Sequence, residues 1–371
     1  VSARAARLAG ARILMTTDAV GGVWQYACDL AAQLAAGDCE VTLALLGPAP
    51  GEALRAELPA GVRLIETGLP LDWLCDGPGE VQTAARALAG LAAETGADLV
   101  HCNSPALAGA AAFPVPVVTV AHGCIATWWQ GARGGPLDPA LGWHAERVRR
   151  GLTGSAATVA PSAAFAAMLA ATYRLPCSPV VVHNGRPPAP AIAGEVHRFH
   201  AALSVGRMWD PAKNAAVLDA AAAQCGVRLL AAGPLRGPRG EQARFAHAVA
   251  LGTLPGACLA ELLQLRPVFV SAATFEPFGL AVLEAASAGC ALVLSDIPTF
   301  RELWDGAALF VPAQDAAGFA ATIDRVHRDP ELRWRLGEAA HGRAQRFTPA
   351  AMARGMAAIY APLLKTRAVA A

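Results

Sequence analysis

Strand-length apolar runs alternate with alanine-rich helical stretches along this chain, and the alternation starts twice. In the first half, "ARILMTT" (11–17) leads into "GGVWQYACDLAAQLAAG" (21–37), and "CEVTLALLG" (39–47) follows. "VRLIETG", "ADLVHCN", "VPVVTVAHG", "AATVAPS" and "SPVVVHNG" continue it, separated by helix-like stretches or loops. Strands interleaved with helices imply a parallel sheet covered on both faces. The proline-rich segment "NGRPPAPAIAGEVHRF" (184–199) has no helical period and reads as a linker. The pattern then resumes with "HAALSVGR", "VRLLAAGP", "HAVALGTL", "PVFVSAA", "ALVLSD" and "AALFVPA". The expected fold class is therefore α/β, with two Rossmann-like, doubly wound parallel-sheet domains. They are expected over 1–184 and 200–349, joined by a linker at 185–199.

Composition supports two cores and excludes several function classes. A length of 371 residues fits about two domains. With 54% hydrophobic and 16% charged residues, there is ample material to bury. A net charge of +1 is too low for a domain that grips a polyanion, so no nucleic acid is expected as a partner. No long uninterrupted apolar run suggests a membrane span, and the first residues do not read as a secretory signal. The nine cysteines form no C-x-x-C pair, which fits a reducing cytosol and supports neither a zinc site nor a disulfide framework. The expected location is cytoplasmic, with peripheral contact at the inner membrane surface left open.

Open α/β sheets bind ligands at the carboxyl ends of their strands, so two such domains facing each other are expected to form a cleft. Candidate residues collect at those ends. "FEPFGLAVLEA" carries Glu276 and Glu284 across a loop and a helix expected to start near Phe278. On an ideal helix, eight residues separate the two carboxylates by roughly 12 Å of rise and about 80°. A pair flanking one glycosidic bond would be about 5 to 9.5 Å apart, so the spacing suits two ends of a long ligand. The amides near Gly279 and Leu280 would meet its anionic middle, for which a diphosphate is the natural choice. The alternative is a charge near a helix start and a solvated Glu284.

"SVGRMWDPAKN" places Arg207 after a strand and Lys213 six residues later. One planar fork and one point charge suit a diphosphate; two surface cations in a loop are the plainer reading. Only Lys213 and Lys365 are lysines among 30 basic residues, which marks Lys213 out. No Asp-x-Asp is present to hold a metal on a diphosphate, so no metal site is expected. In "TTDAVGGVWQ", Gly21 and Gly22 either admit a ligand close to the backbone or serve tight packing. A nicotinamide site would want G-x-G-x-x-G and an acid after the second strand, and both are missing. His122 ends "VTVAH", either structural or facing the cleft, and Trp128 and Trp129 follow with faces suited to a sugar or to core packing.

Together these elements resemble family 4 of the retaining glycosyltransferases, with GT-B architecture, over nearly the whole chain. "FEPFGLAVLEA" matches the family's E-x7-E element, "SVGR" with "KN" its donor-diphosphate element, "GGVWQYACDLAAQLA" its glycine loop and "AHG" its cleft histidine. The resemblance implies that Arg207 and Lys213 neutralise the donor diphosphate and that Glu284 binds ribose. It implies that Glu276, with the amides of Phe278, Gly279 and Leu280, holds the sugar and adjacent phosphate. It puts His122 near the reacting carbon, Gly22 near the diphosphate or acceptor, and Gly21, Trp128 and Trp129 on the acceptor side. The family's last helix crosses back onto the first domain, which points to residues 350–367 here.

The implied activity is transfer of a sugar from a nucleotide diphosphate sugar, with UDP favoured, to an acceptor hydroxyl. The acceptor would be a glycan, a lipid-linked sugar or a small molecule. Retention is expected, with no cofactor and no metal. A nucleotide-sugar epimerase on the same fold, or a non-catalytic nucleotide-sugar-binding protein, are the alternatives.

Overall fold

A computed structural model describes residues 8–189 and 199–370. The expected linker therefore lies partly outside the described residues. The chain separates into two compact units. The first runs to Gln130, resumes over Gly135–Gly185 and takes up the chain again from Pro349; the second comprises Gly131–Gly134 and Arg186–Thr348.

The first unit holds seven strands: β1 (Arg12–Asp18), β2 (Glu40–Leu46), β3 (Arg63–Glu66), β4 (Leu99–Cys102), β5 (Val117–Val120), β6 (Ala157–Ala160) and β7 (Val180–Val181). They lie in the order β3-β2-β1-β4-β5-β6-β7, all parallel. The second unit holds β8 (Ala201–Val205), β9 (Arg228–Ala232), β10 (Val249–Gly252), β11 (Val268–Ser271), β12 (Leu292–Ser295) and β13 (Ala308–Val311). Their order is β10-β9-β8-β11-β12-β13, again all parallel. Both are doubly wound sheets, as the interleaving of strand and helix requires. Each reverses direction at one place: between β1 and β4, and between β8 and β11. Loops leaving the carboxyl ends there diverge to opposite faces and open a crevice.

The central strands are apolar on both faces because helices cover both. Leu43, Leu99, Val118 and Val159 are fully buried in the first sheet, as are Leu203, Val268, Val293 and Leu294 in the second. The final helix, Pro349–Ala370, belongs to the first unit. Its Met352, Met356 and Tyr360 recur every four residues, so they form one stripe, and all three are buried in that unit's core. Burying a methionine of this kind contributes about 1.5–3 kcal/mol. Gly355 on the same helix keeps the approach close, since a Cβ there would sit 2.8 Å from Val182 Cγ1.

Candidate functional site

In the second unit the reversal point gathers four of the charged residues singled out from the sequence. β8 ends at Val205, and Gly206 and Arg207 follow. The β9 end packs so closely that a Cβ on Gly233 would overlap the Gly206 carbonyl oxygen at 1.8 Å. Gly233 also has φ +132°, which only glycine adopts without strain. The loop after β8 is organised by a buried carboxylate. Asp210 Oδ1 accepts the Ala212 amide at 3.0 Å and caps the short 3-10 turn Pro211–Lys213. Its Oδ2 accepts from an Arg207 guanidinium nitrogen at 3.0 Å. The same guanidinium lies over the Trp209 ring, 5.4 Å from its centroid.

Lys213 closes that turn. Asn214 follows with φ 58°, and its side-chain amide donates to Ala272 O at 3.1 Å and Ala313 O at 2.7 Å. The Thr274 amide donates to Ala212 O at 2.9 Å. These bonds fasten the loop after β8 to the ends of β11 and β13, and Lys213 Nζ forms an ion pair with Glu276 Oε2. Both side chains are mostly buried, at 21% and 16% exposure.

The helix after Glu276 starts later than its sequence suggests. It spans Leu280–Ser287, with Gly279 at its N-cap in a left-handed conformation, φ 91°. Phe278 is not part of it. Its ring is buried and meets Phe347 edge-on at 5.6 Å, so the segment before the helix is pinned by the core. Glu276 is therefore a loop residue ahead of the cap, and Glu284 lies about one turn into the helix. The ideal-helix separation of the two carboxylates does not apply, because only part of the interval is helical. Glu284 Oε1 accepts from Arg186 Nε at 2.8 Å, with both side chains about three-quarters buried. Arg186 follows "HNG" at the end of the first half, and nothing local in the sequence marked it as the partner of Glu284.

In the first unit the candidates also lie at carboxyl ends. Asp18 closes β1, and its Oδ1 accepts the amides of Val20 at 2.9 Å and Gly21 at 3.3 Å. Gly22 caps the helix Val23–Ala35 with φ −65°, a conformation open to any residue. What glycine supplies there is the absence of a side chain. His122 follows β5, half-buried, with Nε2 2.8 Å from Asn103 Oδ1 and the Tyr26 ring against it at 4.4 Å. Burial, reinforced by neighbouring His101, pulls His122 down to about 3, so the ring is neutral at ordinary pH. Trp128 and Trp129 sit half-buried on the helix Ile125–Ala132.

Asn103 and His101 were not marked by the sequence. They end a strand, as many polar residues do, and only the sheet order β1-β4-β5 brings them beside Thr16 and His122. Among the described residues no cluster of three or more His, Cys, Asp or Glu is arranged to hold a metal ion. No described helix is long and apolar enough to cross a membrane.

Two family models match the chain: Glycosyltransferase Family 4 over residues 20–189, and Glycosyl transferases group 1 over 241–343. The first contains Gly21, Gly22, His122, Trp128 and Trp129, and the second contains Glu276 and Glu284; Arg207 and Lys213 fall between them. The chain is 40% identical over 97 residues to a D-inositol 3-phosphate glycosyltransferase of Frankia alni, covering 26% of this chain and 24% of that relative. The match thus spans about a quarter of that relative's length. Among solved structures, sucrose-phosphate synthase from Thermosynechococcus elongatus superposes with a TM-score of 0.80 at 20% identity, over 96% of this chain and 100% of that one. Anabaena Alr3699/HepE, in complex with UDP-glucose, superposes with a TM-score of 0.72 at 17% identity, over 95% and 100%.

Proposed function

Since the chain belongs to the family 4 type of glycosyltransferases and has the GT-B fold, we propose that it moves a sugar from a nucleotide diphosphate sugar to an acceptor hydroxyl, with retention at the anomeric carbon. The observation that carries this reading is the Lys213–Glu276 pair at the reversal point of the second sheet, ahead of the helix Leu280–Ser287. Arg207 and Lys213 supply the cations for a diphosphate, and the helix start supplies amides, with Gly279 leaving its approach free of a side chain. Glu284 takes the ribose hydroxyls, exchanging its bond to Arg186 for them. A UDP-sugar is favoured as donor. The complex of Alr3699/HepE with UDP-glucose supports that choice at the level of a shared fold.

In the proposed step the bond between the anomeric carbon and the diphosphate oxygen breaks. The nucleoside diphosphate leaves with the electron pair. The acceptor oxygen bonds to the anomeric carbon from the same face, and its proton passes to a phosphate oxygen. Charge grows on the leaving diphosphate, where Arg207, Lys213 and the helix start stabilise it electrostatically. Those cations take the part a metal would otherwise play, so the reaction is proposed to need neither metal nor cofactor. The acceptor is a glycan, lipid-linked sugar or small molecule.

The test is thermal stabilisation across a panel of nucleoside diphosphates and their sugars, with chelator present. A ligand at a hundred times its Kd stabilises the folded state by about 2.7 kcal/mol, a readily measured shift. A nucleotide sugar is expected to raise the melting temperature, and the product of transfer to keep the donor's anomeric configuration. No shift with any of the panel, or a shift that needs magnesium, would overturn the reading.

Asp210 gives a finer prediction. Asp210→Ala removes both the cap and the Arg207 partner and is expected to cost about 1 kcal/mol of stability. Asp210→Asn keeps the cap and should melt close to the parent, yet raise the KM for donor because Arg207 is no longer held. Equal KM values in parent and Asp210→Asn would show that Arg207 needs no such support.

A further inference from the structure

We propose that Asn103 is a positioning residue for the transfer: it holds the His122 imidazole in its Nε2–H form, leaving Nδ1 as the acceptor for a hydroxyl of the transferred sugar. This deepens the reading given above and rests on it.

The argument is one of hydrogen-bond direction. Asn103 is anchored twice to β1. Its backbone amide donates to Thr16 Oγ1 at 2.8 Å, and its Nδ2 donates to Thr16 O at 2.6 Å. A backbone carbonyl can only accept, so the Asn103 amide nitrogen must face Thr16 and Oδ1 must face away. That oxygen meets two imidazoles, His122 Nε2 at 2.8 Å and His101 Nε2 at 2.9 Å. An amide oxygen has two lone pairs and no hydrogen, so both Nε2 atoms carry the proton and donate.

The far end of the chain of bonds agrees. His101 Nδ1 bonds the Tyr360 hydroxyl, brought in by the final helix. His101 is neutral and already carries its proton on Nε2, so its Nδ1 accepts, and the Tyr360 hydroxyl, which burial keeps protonated, donates. Each bond fixes the direction of the next, from Thr16 through Asn103 to His101 and Tyr360.

The two histidines differ in what remains. His101 is fully buried with both nitrogens engaged, so it has nothing to offer a ligand. His122 is half-buried, and among the described residues its Nδ1 has no hydrogen-bond partner and is not sealed from solvent. The groups packed around it are the Tyr26 ring from the helix Val23–Ala35, and His101 and Asn103 at the end of β4. Among the described residues no carboxylate is hydrogen-bonded to the ring to favour a second proton. Burial also holds His101 down at about 4, so neither ring becomes a cation at ordinary pH. His122 therefore presents an acceptor, which suits a sugar hydroxyl, and not a second cation for the diphosphate.

The experiment uses the full chain labelled with 15N at histidine, as parent and as Asn103→Ala. In the parent, His122 is expected to show a protonated Nε2 and a bare Nδ1, unchanged from about pH 5 to 8. Addition of UDP-glucose, but not UDP alone, should shift the Nδ1 resonance. In Asn103→Ala the His122 signals should average over both neutral forms. A proton on Nδ1 in the free parent overturns the proposal whether or not donor binds. If the parent has the expected form but UDP-glucose leaves it unmoved while stabilising the protein, the sugar-contact half is overturned. If no nucleotide sugar binds at all, it is the functional reading that fails.

Kinetics separate positioning from mere structure. Asn103→Ala is expected to slow transfer from UDP-glucose by about tenfold to a hundredfold. With the 2-, 3-, 4- and 6-deoxy donors, it should slow all but one. The exception is the donor lacking the hydroxyl that meets Nδ1, already slow with the parent. Equal slowing across the whole series would mean that Asn103 only supports the fold, and would overturn the proposal.

Discussion

Lys213→Met and Glu276→Gln are each expected to lower turnover by about a hundredfold to a thousandfold in a protein that remains folded. The two side chains pair with each other in the free protein and are mostly buried. Removing one therefore leaves the other short of a partner, and some loss of stability is expected from either change. That loss could be mistaken for the whole effect, and the double variant separates the two. If the residues serve only each other, Lys213→Met/Glu276→Gln should recover both stability and activity. If they hold different parts of a donor, the double variant should regain stability while turnover stays at or below that of the worse single. A melt and a transfer assay on the four proteins decide between these outcomes. Near-parent turnover in the double variant would remove both residues from the site.

Gly151→Ala is expected to destabilise the first unit by more than about 3 kcal/mol, the upper end for overpacking, and to yield little folded protein. A Cβ at Gly151 would stand 1.8 Å from the Pro105 carbonyl oxygen, and one at Gly109 2.1 Å from the Arg147 carbonyl oxygen. These atoms are backbone on both sides, so neither helix Pro105–Ala108 nor helix Gly142–Gly154 can yield without moving as a whole. Gly90 is the control. It is exposed inside the helix Pro78–Glu94, with nothing within 4 Å of a Cβ. Gly90→Ala should stabilise by up to about 1 kcal/mol, because alanine loses less backbone freedom in a helix. Melting temperatures of the two variants should therefore move in opposite directions. A Gly151→Ala protein that melts with the parent would show that these helices are not in backbone contact.

Gly151 and Gly90 also illustrate what was legible beforehand. Both are glycines within helices, and neither sequence shows which of them meets another backbone. Only the crossing with the helix at Pro105 gives Gly151 its role. Phe278 is a similar case. The helix was expected to start near Phe278, but it begins at Leu280 and the Phe278 ring packs edge-on against Phe347. The left-handed Gly279 ends the preceding segment and sets the start, a choice that "FEPFGLA" does not reveal by periodicity.

The sequence by itself determined the fold class, the strands of both sheets and most of the charged residues at the second sheet's reversal point. Those features are local: apolar runs of strand length, interleaved helices and charges placed just past strand ends. The tertiary structure decided the pairings, namely Lys213 with Glu276, Arg186 with Glu284, and Asn103 with Thr16 and two histidines. The physical reason is that a doubly wound sheet sets neighbours by strand order, not chain order. Residues separated by 63, 98 and 87 positions come within hydrogen-bond distance only once the sheet has formed.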